Sequence, residues 1–557
     1  KNQDPGYILR MGGLLVLLGV IGLTCSITAQ YFSAKAAVGF ATGLRNDLFA
    51  HIGSLSYSEQ DTIGTSTLIT RMTSDINQVQ NGVNMGLRLL LRSPFIVLGS
   101  MVMAFTINTR CALIFVVAIP VLFLVVFVIM YLSIPLFGKV QARLDAVTGL
   151  TRENLTGVRV IRAFNRQKSE TEKFDRENGN LVRMQVFVGK ISALLNPVTY
   201  VIINIAVVAV IWVGAEQADS GIITQGKVIA LVNYMSQILV ELIKMANLII
   251  IISKAVACMN RVDSIFKVES SIEDKGRHGS RKPGSQNSGF QNSGPQNSGP
   301  QNPGLRIPKV EFKDMEFVYA GAKEPALKDI SFCAMAGQTI GVIGGTGSGK
   351  STLVNLIPRF YDAASGQVLV DGTDVKEYSL DELRDKTGVV PQKSVLFKGT
   401  LRDNMRWGKQ DASDEEIYRA LDTAQAREFV DSKGEGLDLY IDQGGHNLSG
   451  GQRQRLTIAR ALVRRPEILI MDDSASALDF ATDARLRKAI RENTGDMTVF
   501  IVSQRATTIK SADTILVLDE GRLAGMGTHK ELLKDCQVYR EICLSQLSKE
   551  EVERDEQ

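Results

Sequence analysis

Cysteine and histidine are scarce in this chain, six and four among 557 residues. The cysteines are scattered with no CxxC spacing, so neither a zinc site nor a disulfide framework is expected. Their expected place is the interior, as small apolar residues. Net charge is low as well: a surplus of +4 is too small to argue for a nucleic-acid partner. Charge is also missing locally. Long uncharged runs crowd the residues before about 260 and are absent from the later half. A chain of 557 residues is too long for one compact core. The contrast between its halves therefore predicts at least two unlike domains.

A helix needs about 20 mostly apolar residues to cross a bilayer. Five stretches qualify, roughly 8–30, 88–107, 111–134, 193–214 and 226–252. The third contains LIFVVAIPVLFLVVFVIMYL, with no charge at all. One such stretch could be a buried core helix, but five in succession predict an all-α membrane domain. Loop charge then orients it. The loops Tyr31–Leu87 and Phe137–Ser192 are long and carry Lys and Arg, so they face the cytosol. The turn Ile107–Arg110 is short, and Ala215–Gly226 carries Glu216 and Asp219 without a Lys or Arg, so both lie outside. Five spans begin the chain in an external loop. A further spanning helix before Lys1 is the simpler expectation.

The last span carries Asn233, Gln237, Glu241 and Lys244 at helical spacing, hence on one face. Charge at membrane depth is costly and usually faces a water-filled cavity or a partner. Asn233, Gln237 and Glu241 are candidate residues of a substrate pathway. A plain Glu241–Lys244 pair is the competing reading of those two.

Four near-repeats, QNSGF, QNSGP, QNSGP and QNPGL, occupy 286–305. Such Gly, Ser, Pro and Asn composition predicts a flexible tether. The expected domains are 1–268 in the membrane, a linker over 269–306, an α/β domain over 307–548, and a charged tail over 549–557.

Within the third of these, the apolar run Gln338–Ile343 leads into Gly344-Gly345-Thr346-Gly347-Ser348-Gly349-Lys350-Ser351, then a helix from Thr352. This is G-x-x-x-x-G-K-[ST] in strand–loop–helix context. Glycines let backbone N–H groups converge on phosphate oxygens. Lys350 is expected to reach the β- and γ-phosphates, and Ser351 to ligate Mg2+. A second apolar run, Ile468–Met471, ends in Asp472-Asp473, a buried strand that delivers a carboxylate to the same phosphates.

Between these motifs stands Leu448-Ser449-Gly450-Gly451-Gln452, which resembles the signature of ATP-binding cassette proteins. Tyr319 in FVYAG resembles the residue that stacks on adenine. Gln392 in VVPQ resembles the Q-loop glutamine, and Ser476–Asp479 the D-loop. The stretches 64–75 and 153–167 look like the two cytosolic loops that dock on the engines in the exporter branch. The resemblance covers Val310–Leu547 almost entirely. It implies a P-loop engine that works in pairs, with each ATP held between one subunit's phosphate loop and the other's signature. ATP and Mg2+ are the implied ligands, with Ser351, Gln392 and Asp472 on the metal. A second half-transporter and a lipid membrane, the bacterial plasma membrane, are the implied partners.

Two positions depart from the family pattern. The family's Glu after the Walker B aspartate is Asp473 here, and its switch histidine is replaced by Gln504. None of His51, His278, His446 and His529 stands where it could substitute. Both changes weaken the same hydrolytic step. Together they resemble the degenerate subunit of bacterial heterodimeric multidrug exporters. Gln443, where the family often has Glu, is a further departure. The expected function is ATP-driven export as a subunit with a degenerate site. The alternatives are a homodimeric exporter with a working site, or an ATP-gated membrane regulator. Drugs, lipids and peptides all remain open as substrates.

Overall fold

The computed structural model describes residues 5–90, 92–274, 307–474, 478–493 and 495–556. The near-repeats at 286–305 and the pair Ser476-Ala477 lie outside these residues. The chain divides into two compact units. One comprises Lys1–Gly53 with Thr65–Val268, the other Ser54–Gly64 with Glu269–Gln557.

Among the described residues the first unit is helical. Five stretches are long and apolar enough to cross a membrane: Pro5–Ser54, Thr65–Ile107, Thr109–Thr156, Gln167–Asp219 and Gln225–Phe266. Each contains one of the five expected runs. At 42 to 53 residues they measure about 60–80 Å, at least twice the hydrocarbon thickness, so they continue well beyond it. The expected turn at 107–110 is a single non-helical residue, Asn108, whose Oδ1 accepts the Cys111 N–H at 3.1 Å and caps the next helix. The interior is packed by Phe115, Leu122, Val210, Leu231, Met235 and Ile238, each at most 1% exposed.

Two contacts tie helix Ile76–Leu89 to helix Gln225–Phe266. A side chain at Gly82 would place its Cβ 2.2 Å from Ala255 Cβ, so only glycine permits this approach. About two turns away, at the N-cap, buried Asp75 accepts two bonds from Arg261, at 2.6 and 3.0 Å, and one from Arg71 at 2.8 Å. Four of the six cysteines are buried as expected, but Cys25 and Cys333 are exposed. Cys333 lies on a strand whose outward face reaches solvent.

The second unit is α/β. Strands are numbered along the chain. An antiparallel sheet in the order β2-β1-β4-β5 joins Leu327–Ala334, Val310–Phe317, Ser365–Val370 and Thr373–Asp374. A six-stranded sheet in the order β12-β11-β3-β10-β9-β6 joins Arg522–Gly527, Thr514–Asp519, Thr339–Gly344, Thr498–Val502, Ile468–Asp472 and Thr387–Val390. The short pair β7 (Gly399–Thr400) and β8 (Tyr440–Ile441) completes the set. Strands β3, β9 and β10 are near-continuous apolar runs because both faces of this sheet are covered. In the parallel ladder Val342 pairs with Val502 and Val502 with Asp472. The loops after β3, β10, β9 and β6 therefore leave one edge of the sheet side by side, the carboxyl edge where α/β sheets bind ligands.

Segment Ser54–Gly64 packs within this unit. Ser56 caps the helix Tyr57–Ile63 with a reciprocal bond to Glu59. Tyr57 lies 4.6 Å from the Phe360 ring, and the Tyr361 hydroxyl donates to Asp61 at 2.9 Å. These contacts lie within the second unit, just before the stretch 64–75 singled out by resemblance.

Candidate ATP site

The phosphate loop is shaped by what its glycines avoid. A Cβ on Gly344 would lie 2.1 Å from Leu518 O. Gly349, at φ 91°, would meet Leu327 Cδ2 at 2.6 Å. Only glycine accepts this backbone. The helix Lys350–Asn355 follows at once. Lys350 folds over the loop, its Nζ 2.6 Å from Gly345 O and 3.1 Å from Gly344 O. Burial pushes its pKa down, against the attraction of Asp473 and Asp472.

Asp472 closes β9 and accepts the Ser351 hydroxyl at 2.8 Å. Its pKa is pushed up by burial and by Asp473, against the Ser351 bond and the Lys350 charge. Asp473 has φ 45°, and its backbone N–H donates to Val502 O at 3.0 Å. This turn, which Asp tolerates better than most residues, brings its carboxylate to the Gln392 amide at 3.4 Å. Burial raises the Asp473 pKa too, opposed by Gln392, Lys350 and Arg505.

A cavity of about 340 Å³ gathers Tyr319, Thr346, Gly347, Gly349, Lys350, Ser351, Thr352, Gln392, Asp472, Asp473 and Gln504. Gly344, Gly345 and Ser348 belong to the same loop but do not line it. The Tyr319 hydroxyl lies 2.8 Å from Thr352 Oγ1, and its ring meets Phe317 and Tyr361 edge-on at 4.8 and 5.6 Å. Ala326, Val502 and Ser503 also line the cavity and had no motif of their own to reveal them. Ser503 could have been found as the residue following β10.

The signature residues stand elsewhere. Ser449 caps the helix Gly450–Val463 with a reciprocal bond to Gln452, Leu448 is buried beneath it, and Ser449 and Gly450 are exposed. None of 448–452 lines the cavity. Gln443 is exposed on the surface. In the membrane unit Glu241 is fully buried, accepting from Ser93 and Lys244, each at 2.8 Å, whereas Asn233 and Gln237 are exposed.

Residues 1–242 match the ABC transporter transmembrane region family, and 327–476 match the ABC transporter family. An ABC transporter ATP-binding protein of Mycobacterium tuberculosis is 38% identical over 98% of this chain and 90% of its own length. YfiB of Bacillus subtilis is 35% identical over 99% and 91%. An ATP-dependent lipid A-core flippase of Desulfotalea psychrophila is 33% identical over 88% and 82%. The fold resembles a bacterial Atm1-family ABC exporter solved with ATP bound, with TM-score 0.78 and 23% identity over 99% of this chain and 92% of that one. The phosphate loop, the carboxylates beside it and the five membrane-length helices agree with these likenesses: the chain belongs to the ABC transporter family, as a multi-span membrane exporter driven by its ATPase domain.

Proposed function

We propose that this chain is one subunit of a heterodimeric exporter in the bacterial plasma membrane, with residues 1–268 as its membrane domain and 307–548 as its engine. Its own site binds ATP and turns over slowly, while its signature completes the faster site of the partner. The observation that carries this reading is that Asp473 and Gln504, which replace the Glu and His of the family pattern, both line the same cavity. An aspartate ends one methylene short of a glutamate, and misplacement near 1 Å costs about a hundredfold in rate. Gln504 can donate to a phosphate oxygen but cannot take a proton.

In this reading Tyr319 stacks on adenine, and Lys350 offsets charge on the β- and γ-phosphates. Ser351, Asp472 and Gln392 would hold Mg2+. Ser351 Oγ and Asp472 Oδ1, 2.8 Å apart, are the hard oxygen donors that ion prefers. Bound there, it neutralises phosphate charge. The exposed Ser449 and Gly450, apart from the chain's own cavity, are free to meet the partner's γ-phosphate. A second surface suits the same assembly. Leu155, Val160 and Phe164, at one cytosolic turn of the membrane unit, are 72, 61 and 73% exposed, an apolar tip that a partner's engine would cover. Asn233 and Gln237 face the transport pathway, with Glu241 as its buried anchor.

The test is ATPase activity of the chain purified alone in lipid, against the chain co-expressed with a cassette exporter that carries Glu and His at the two altered positions. Little turnover alone and strong turnover together supports the heterodimer. Full turnover by the chain alone refutes it and favours a homodimer.

A further inference from the structure

One side chain outside the nucleotide cavity holds the switch loop by its backbone. Gln546, the last residue of helix Gln537–Gln546, donates from Nε2 to the carbonyl of Gln504 at 2.8 Å. Its Oε1 accepts the N–H of Ala506 at 2.9 Å. A primary amide that satisfies the carbonyl of one residue and the N–H of the residue two further on does what a neighbouring strand would do. It fixes the peptides on both sides of Arg505.

The position of Gln546 is itself fixed. Its helix is anchored by Tyr539 and Cys543, both fully buried, in the same core cluster as Ala506 and Ile509 of the short helix Ala506–Ile509. The Tyr539 hydroxyl lies 2.7 Å from His529 Nδ1. From the cavity side the loop is held by Ser503. Its N–H donates to Val342 O at 3.0 Å, and its Oγ accepts the Arg505 N–H at 2.9 Å. The switch loop is thus gripped from the sheet by Ser503 and from helix Gln537–Gln546 by Gln546. Gln504, between the two grips, lines the cavity.

We propose that Gln546 is a positioning residue for nucleotide sensing. By holding the Gln504 carbonyl and the Ala506 N–H, it sets the direction from which the Gln504 side chain meets the terminal phosphate of ATP. The proposal rests on Gln504 occupying the switch position. At that position Gln504 would meet a phosphate that ADP lacks, so loss of the grip is expected to weaken ATP and spare ADP. A helix that merely stabilised the fold would affect both alike.

The test uses the full transporter in lipid with its partner. Hydrogen exchange of the peptide spanning 344–352 reports occupancy of this chain's own site during titration with MgATP or MgADP. The variants are Gln546→Ala, which removes both bonds, and Gln546→Glu, which keeps an acceptor for Ala506 but has no donor for Gln504. Each is expected to raise the MgATP concentration for half-protection roughly three- to tenfold, the worth of one or two neutral hydrogen bonds. The MgADP value stays unchanged, and exchange at 503–510 rises. Equal shifts for both nucleotides, or no shift, overturn the proposal. Gln504→Ala separates the two levels. If it narrows the ATP preference while the Gln546 variants do not, the grip is unimportant and the switch assignment stands. If Gln504→Ala itself leaves the preference unchanged, the switch assignment fails and the proposal falls with it.

Discussion

Lys350 is an ammonium group 8% exposed whose bonded neighbours are two loop carbonyls and the Ser348 hydroxyl. Burial alone disfavours its charge. A phosphate is the stronger acceptor, and a charged hydrogen bond of this kind is worth about 1.5–3 kcal/mol. Lys350→Ala is therefore expected to weaken MgATP binding at this site by roughly ten- to a hundredfold, measured as protection of the 344–352 peptide. Unchanged affinity would contradict the phosphate-loop assignment. This part of the site was legible because phosphate loops impose a backbone, and the backbone imposes glycines at fixed spacing. Asp472 was legible for a similar reason, since a buried strand ending in a carboxylate leaves a local pattern. The φ of 45° at Asp473 and its approach to Gln392 left no such pattern. Neither did Gln546, which meets the switch loop from 42 residues away. Contacts made across a fold are set by packing, not by neighbouring sequence.

At the scale of elements, hydrophobic runs located the five membrane helices but not their ends. The apolar signal stops where the bilayer stops, whereas backbone hydrogen bonding carries each helix onward. The short helix beside the second unit's aromatic residues left no signal for a related reason. Tyr57–Ile63 is a seven-residue polar segment whose identity lies in Tyr57 and Asp61 meeting Phe360 and Tyr361. Residues 549–557 read only as charged, yet Lys549–Glu556 is a helix with Val552 buried and Asp555 paired to Lys510. Asp555 also lies 3.5 Å from His529 Nε2. Burial holds the His529 imidazole below its ordinary pKa despite that carboxylate. The folded chain therefore binds this proton less readily than the unfolded chain. The stability His529 contributes is full above its unfolded value of about 6.5 and is lost as pH falls through that value toward the folded one. Protection factors of the 537–556 peptides should drop as pH falls from above neutral through about 6.5. In His529→Gln, which cannot titrate, that dependence should flatten. An identical slope in the variant would remove His529 as its cause.

At the scale of the whole molecule, the ABC exporter architecture was legible because each domain carries its own signal: apolar length in the first, ordered motifs in the second. The proposed division of labour between two sites is harder to read, because it would turn on one methylene at Asp473 and one ring at Gln504 and on the residues of a second subunit. The account makes the two sites unequal. Removing one well-placed catalytic group typically costs on the order of a hundred- to a thousandfold, so that loss should appear only where the group works. The direct measurement is ATPase of the assembled transporter carrying Asp473→Asn, beside one in which the partner's equivalent Glu is changed to Gln. The account predicts near-normal turnover in the first and near abolition in the second. A loss with Asp473→Asn as deep as the partner's would mean that this chain's site is catalytic, and would contradict it.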